Sequence, residues 1–398
     1  MDPYTLGRDG LVALLDDLAG PQPAYRAAQV RAWLARGVDE PAAMTDLPAG
    51  LRRRLAEVFD EPPRVATRSV ADRGLTHKIL LTHPDGESTE SVLMLYPARD
   101  GSRPRAGRAT VCVSTQAGCA MGCPFCATGQ AGFRRQLSAG EILRQVTVAQ
   151  RLLRGDEIVS ATPGAVLGPR VPDHVSNVVF MGMGEPLANS DATLAAVRWL
   201  CGREEPTFGL SARAVTVSTV GLVPGMRRLG ALGLPVTLAV SLHAPNDALR
   251  DDLVPLNRRH PLAELLDACR AWIQVTGRRL SFEYVLIGGI NDAPEHAEQL
   301  ADLVGELRAH VNLIPMNPTP AVPWRAPPPE RMRAFAAVLE RSGLAVSLRR
   351  NRGGEIDAAC GQLYADYAVA SGRIMPVARG AAARLAARVG PQPAREQR

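Results

Sequence analysis

The sequence predicts an α/β protein, an incomplete (β/α)6 TIM-like barrel preceded by a small helical domain and a short β-linker. Three observations carry this. From about residue 109 onward, apolar or β-branched runs occur six times and most are followed by an amphipathic stretch of helical period. No glycine-rich dinucleotide fingerprint accompanies these runs, which separates the pattern from a doubly wound nucleotide-binding sheet. The 398 residues leave room for one large domain and one small one, and 46% hydrophobic with 22% charged residues is the composition of a globular chain.

The elements follow in chain order. Residues 1–62 carry GLVALLDDLAG and YRAAQVRAWLARGV, with apolar positions at helical spacing, and LRRRLAEVF, which adds a basic face. Residues 63–108 form the linker, in which VATRSV, THKILLTH and STESVLMLYP read as strands. The last two meet across Asp85-Gly86, a strong hairpin-turn signal. The barrel, residues 109–375, takes its strands from ATVCVS, SNVVFMG, AVTVSTV, PVTLAVSL, LSFEYVLI and VNLIPMN. Its first helix starts with a capping box, Ser138 followed by Glu141. Residues 155–174, rich in Pro, Gly and Val, read as an inserted loop, and 376–398 as a disordered basic Ala/Arg tail.

Composition narrows the function classes. Apolar runs such as Leu234 to Leu242 fall far short of the roughly 20 residues that span a bilayer. The N-terminus lacks a basic segment followed by an apolar one, so a cytoplasmic protein is expected. In that reducing compartment, clustered cysteines point to metal binding or catalysis rather than disulfides. The net charge of +6 suits a polyanion such as nucleic acid, although a coding bias toward Arg gives the same balance.

Four of the seven cysteines, Cys112, Cys119, Cys123 and Cys126, lie within ATVCVSTQAGCAMGCPFCATGQ. The last three form C-x3-C-x2-C, a spacing whose chance occurrence is on the order of 10⁻³ from composition alone. Thiolates select zinc or iron–sulfur clusters. Structural zinc would need a fourth ligand from elsewhere. A 4Fe–4S cluster held by three cysteines keeps one iron open for a ligand, and this loop begins at the end of the first barrel strand, where such barrels keep their chemistry. The position favours the cluster.

Other candidates sit at the ends of later strands. MGMGEP places Gly182, Gly184 and Glu185 after the second strand, where glycines permit close backbone approach to a ligand. Ser218, then Ser241, Leu242 and His243, and Asn317 end strands three, four and six, suited to hydrogen-bond a ribose, carboxylate or adenine. Cys360 lies in RRNRGGEIDAACGQL, a flexible, electropositive context that favours a thiolate. Cys201 and Cys269, on helices, read as inert packing groups.

These motifs resemble known families. Cys119, Cys123 and Cys126, with Phe125 before the last, resemble the motif of the radical S-adenosylmethionine superfamily. The resemblance implies one 4Fe–4S cluster whose open iron chelates S-adenosyl-L-methionine, and a 5′-deoxyadenosyl radical as the reactive species. Gly184 and Glu185 resemble its glycine-glutamate motif, and Ser218, Ser241, Leu242, His243 and Asn317 match cofactor-binding positions. DAACGQL, together with VCVS ahead of the cysteine triplet, resembles the RlmN/Cfr family of RNA adenine methyltransferases from Glu90 to Leu363, and more weakly through the N-terminal helices.

That resemblance implies Cys360 as methyl carrier, Cys112 as its resolving partner and Glu90 as proton acceptor, with two cofactor molecules used per turnover. It implies 23S rRNA as substrate, tRNA in some members, and an electron donor such as flavodoxin or ferredoxin. The basic N-terminal domain would bind RNA phosphates. Family members methylate adenine at C2 or, in the Cfr type, at C8; GCPFCATGQAGFRR and the N-terminal domain resemble the C2 group. The competing readings are a noncatalytic zinc-stabilised RNA-binding protein and a radical enzyme acting on a protein or small molecule.

Overall fold

The computed structural model describes residues 1–21, 23–98, 107–154, 171–203, 206–349 and 352–363. Most of the expected 155–174 insertion and all of the 376–398 tail lie outside the described residues. Two compact units emerge. One comprises Met1–Ala117, Arg134–Val217 and Leu234–Thr237; the other comprises Gly118–Phe133, Ser218–Gly233 and the described residues from Leu238 onward.

In the first unit, helices Arg8–Ala19, Tyr25–Ala35 and Ala49–Val58 form where the sequence has helical spacing. Leu11 and Leu15, Val30 and Leu34, and Leu51 and Leu55 each stand four residues apart and are buried, the stripe an amphipathic helix turns inward. Tyr4 ties this region to helix Ser190–Cys201: its carbonyl accepts the Trp199 indole N–H at 2.6 Å and the two rings meet edge to face. A buried Arg144–Asp39 pair ties it to helix Ala139–Arg154.

The linker strands are β1 (Arg64–Ala71), β2 (Thr76–Thr82) and β3 (Ser88–Tyr96). Gly86 adopts the left-handed conformation expected of the Asp85-Gly86 turn, and the Asp85 carboxylate accepts the Glu87 N–H. The linker is continuous with the barrel sheet, because β3 pairs antiparallel with β4 (Arg108–Cys112). After the short strands β5 (Gln116–Gly118) and β6 (Phe133–Gln136), β7 (Asn177–Phe180) and β8 (Val215–Thr219) extend the order to β1-β2-β3-β4-β7-β8, parallel from β4 onward. Val178, Phe180, Val215 and Val217 are wholly buried, whereas Asn177, Val179 and Thr216, on the other face, are half-buried.

In the second unit, β9 (Thr237–Ser241), β10 (Leu280–Leu286), β11 (Ala309–Pro315) and β12 (Ala345–Leu348) run parallel in that order. Helices Leu262–Thr276, Pro294–Val304 and Pro329–Arg341 alternate with them. Leu280, Phe282, Tyr284 and Leu286 make one wholly buried face of β10, with Ser281, Glu283 and Val285 on the other. All six expected barrel strands are present and LAVSL adds β12. The chain has the predicted α/β class, with the β/α succession of an incomplete barrel.

Candidate active site

The cysteine triplet lies on a loop shaped by glycine. Gly118 is left-handed and a Cβ there would stand 1.9 Å from the Gly132 carbonyl oxygen, so only glycine fits. The Cys119 N–H donates to that same carbonyl at 2.9 Å, Gly122 is again left-handed, and the Cys126 N–H closes a turn on the Cys123 carbonyl. The Gln130 amide donates to the Pro124 carbonyl at 2.7 Å and to Thr319 Oγ1 at 2.9 Å. Cys123 is buried, Cys119 and Cys126 half-buried, and no cysteine is in a disulfide. Burial pushes the Cys126 thiol up, with hydrogen bonds from Gly129 and Thr128 opposing it.

Three thiols on one loop are the donor set of a 4Fe–4S cluster. Among the described residues, no three Cys, His, Asp or Glu side chains converge as ligands of a single ion would; a cuboidal cluster spreads its three thiolates over three irons. Cys119, Cys123 and Cys126 would hold it. Phe125 packs into the core behind the loop, edge to face on His243 at 4.8 Å.

The segment carrying Cys360 docks on this loop. The Ala127 N–H donates to the Gly361 carbonyl at 2.7 Å and Thr128 Oγ1 to the Leu363 carbonyl at 2.9 Å. From the end of β11, Asn317 Nδ2 donates to the Cys360 carbonyl at 2.9 Å, and Gln362 Nε2 reaches back to Pro318. The glycines around Cys360 suggest flexibility, yet residues 360–363 are pinned on two sides. Cys360 is half-buried, and the hydrogen bond from Ala127 to Gly361 joins the residues that directly follow Cys126 and Cys360. The Asn317 side chain, expected at the cofactor, is engaged with this segment.

Ser218 and Ser241 are half-buried at their strand ends, while the Leu242 side chain is fully buried, leaving only its backbone to meet a ligand. His243 is left-handed; its Nδ1 accepts the Val285 N–H at 3.1 Å and its carbonyl accepts Asn291 Nδ2 at 2.8 Å. Burial, then the charge of Arg250, push its imidazole down to about 3, so it is neutral. Arg250 has no exposed surface. It donates to the carbonyls of Leu242 at 3.0 Å, Ser241 at 3.1 Å and Val220 at 2.7 Å, and to Asn257 Oδ1 at 2.8 Å. The sequence hid it, because an arginine between aspartates on a short helix reads as a surface residue.

In the first unit, Cys112 ends β4 with 7% exposure. It registers with Val92, so it shares a face with Glu90 two residues along β3. Glu90 is 3% exposed, not the exposed strand carboxylate that is its ordinary alternative, and Lys78 Nζ stands 3.5 Å from its carboxylate. Ser114 Oγ donates to the Glu90 carbonyl at 2.6 Å and accepts the Met183 N–H at 2.8 Å. A Cβ on Gly182 would lie 2.7 Å from that hydroxyl, and one on Gly184 2.5 Å from Gln116 Cβ. Both glycines are thus required by the neighbouring chain itself. Glu185 is buried, its N–H donating to Gln116 Oε1 and its carboxylate accepting the Leu187 N–H. Ser114, Gln116 and Lys78 had no signal in the sequence.

Cys201 and Cys269 are buried packing groups, their thiols pushed up by burial to about 11 and about 12. Among the described residues no helix is long and apolar enough to cross a membrane.

The parallel β/α succession and the cysteine loop are those of a radical SAM enzyme. Residues 113–304 match the radical SAM superfamily. The crystal structure of a radical SAM methyltransferase from Sphaerobacter thermophilus superposes with a TM-score of 0.80 at 45% identity, covering 92% of this chain and 99% of that one. A "Probable dual-specificity RNA methyltransferase RlmN" from Frankia alni is 52% identical over 357 residues, covering 89% of this chain and 81% of the relative. The protein of the same name from Moorella thermoacetica is 47% identical, covering 88% and 94%. The chain belongs to the RlmN family.

Proposed function

We propose that this enzyme methylates C2 of a specific adenine in the peptidyl-transferase region of 23S rRNA, and the adenine 3′ of the anticodon in tRNAs, through an S-methylcysteine at Cys360. The observation that carries the reading is the hydrogen-bonded segment that holds Cys360 against the loop of Cys126. The relatives named as dual-specificity RNA methyltransferases support RNA as the substrate.

A C–H carbon in the electron-poor adenine ring is a weak nucleophile, so direct displacement at a sulfonium methyl is a poor route. The Cys360 thiolate is a good nucleophile and takes the methyl group first. When bound, the cluster and a second S-adenosyl-L-methionine supply the radical that removes a hydrogen from this S-methyl group. The carbon radical on the Cys360 side chain then adds to the ring; the adduct gives up one electron, which the cluster would take back, and its ring proton goes to Glu90. The Cys112 thiolate then attacks the Cys360 sulfur, forming the Cys112–Cys360 disulfide as the sulfur–methylene bond breaks, and the released methylene takes up a proton to become the methyl group of the freed base. Gly184, Glu185, Ser218, Ser241, the backbone of Leu242 and His243 would line the cofactor, and Asn317 would hold the Cys360 segment beside it.

Residues 1–62 serve as an RNA-binding accessory domain, 63–108 as linker, 109–375 as the catalytic barrel and 376–398 as a basic tail. The enzyme works in the cytoplasm with a donor such as flavodoxin or ferredoxin. The test is mass spectrometry after incubation of the cluster-loaded protein with S-adenosyl-L-methionine and a 23S rRNA fragment. Wild type yields 2-methyladenine, and Cys112→Ala accumulates an RNA adduct at Cys360. Turnover retained in Cys360→Ala would sink the mechanism, and 8-methyladenine would assign the enzyme to the C8 group.

A further inference from the structure

We propose that Lys78 is a positioning residue of this site, its buried ammonium keeping the Glu90 carboxylate ionised and ready to accept the adenine ring proton. The inference rests on the reading of Glu90 as that acceptor.

The geometry comes from strand register. Lys78 pairs with Val92, Val92 pairs with Cys112, and Leu80 pairs with Glu90. Lys78, Glu90 and Cys112 therefore project from one face of β2-β3-β4, with Lys78 and Glu90 as diagonal neighbours that long side chains can bridge. Their side chains are 7% and 3% exposed, and Nζ lies 3.5 Å from Oε1.

A carboxylate buried this deeply without a cation favours its protonated form, which donates a proton and cannot accept one. An ammonium within contact distance reverses that preference. Burial of an ion pair gains little over an apolar pair of the same volume, so stability alone gives no reason to place one here. Of the other groups on this face, β1 opposes Lys78 with Ser69 and Leu80 with Thr67, and β7 opposes Cys112 with Val179. Arg108, at the start of β4, is stacked 4.1 Å over Tyr96 at the far end. By strand alternation His77 and Arg68 point to the opposite face, and His83, beyond β2, is engaged with Thr89 and Glu141. Glu185, past β7, holds the Leu187 N–H. Among the described residues of these strands, Lys78 is the cation beside Glu90.

In the step concerned the ring C–H bond breaks, its electron pair stays in the ring, and the proton goes to a Glu90 oxygen. The neutral acid later returns its proton to solvent.

The test is the pH–rate profile of the cluster-loaded enzyme on the 23S rRNA fragment. It compares wild type with Lys78→Met, Lys78→Arg, Glu90→Gln and the double variant Lys78→Met/Glu90→Gln, each first shown folded by circular dichroism. In Lys78→Met the acidic limb moves up by roughly 1 to 3 pH units, the range by which an adjacent opposite charge moves a carboxyl group, and Lys78→Arg restores it. A limb in Lys78→Met that coincides with wild type overturns the role of Lys78. Wild-type rates in Glu90→Gln overturn the reading of Glu90 itself. If Lys78→Met fails to fold, the double variant, which buries no lone charge, carries the test. A rate as low as that of Glu90→Gln supports the pair acting as one unit, and a higher rate overturns it.

Discussion

Arg250 places four of its donor bonds inside the protein, three of them on carbonyls at the ends of β8 and β9. Burial lowers its guanidinium only to about 10, so it is charged at neutral pH. Arg250→Met strips those carbonyls of a charged donor, and the expected loss is about 3 kcal/mol or more in urea unfolding. Arg250→Lys recovers only part, since an ammonium cannot span the same fork. The residues legible in the sequence were those with a local signature: the cysteine spacing, the glycines of MGMGEP, and polar groups after apolar runs. Arg250, Lys78, Ser114 and Gln116 were not legible, because each takes its meaning from partners that the strand order brings near. The same holds for Asn317, whose bond to the Cys360 carbonyl spans two distant motifs.

Helix Ala139–Arg154 shows what one element makes readable. The capping box is formed in both directions: the Glu141 carboxylate accepts the Ser138 N–H at 2.8 Å, and Ser138 Oγ accepts the Glu141 N–H at 3.2 Å. The sequence did not indicate that Arg135 also grips Glu141 with two bonds of 2.8 Å and that His83 reaches it at 2.9 Å. Burial alone would raise this carboxyl group; the bonds from His83, Arg135 and Ser138 outweigh it and hold the group at about 2, against an ordinary 4.5. Its stabilisation is therefore complete above about pH 4.5 and is lost as pH falls toward 2, with an upper bound of about 3 kcal/mol. Glu141→Gln should remove most of that acid-side slope in denaturation measured from pH 6 to pH 2, and Ser138→Ala should cost about 1 kcal/mol at any pH. Element existence was legible throughout because periodicity is local. The pairing of β3 with β4, which makes the linker part of the barrel sheet, was not, because sheet partners are chosen over long sequence separations.

On the scale of the whole molecule, the charge is unevenly distributed. Residues 376–398 contain five arginines and one glutamate, so +4 of the net +6 belongs to a stretch beyond the catalytic motifs. The remaining +2 is spread over a chain whose clearest basic cluster, Arg52 to Arg54, lies on helix Ala49–Val58 with Arg53 and Arg54 exposed. If RNA phosphates are neutralised by both, each contact releases counterions and steepens the fall of affinity with salt by roughly 0.7 to 0.9 in log–log slope. Deleting 376–398 should then weaken binding of the 23S rRNA fragment at low salt and flatten the slope by about 3. Replacing Arg53 and Arg54 with Ala should flatten it by about 1 to 2. Filter binding across a salt series separates the contributions. A slope unchanged by the deletion would mean that the tail touches no phosphate, and the RNA would then be held by the helical domain and the barrel alone.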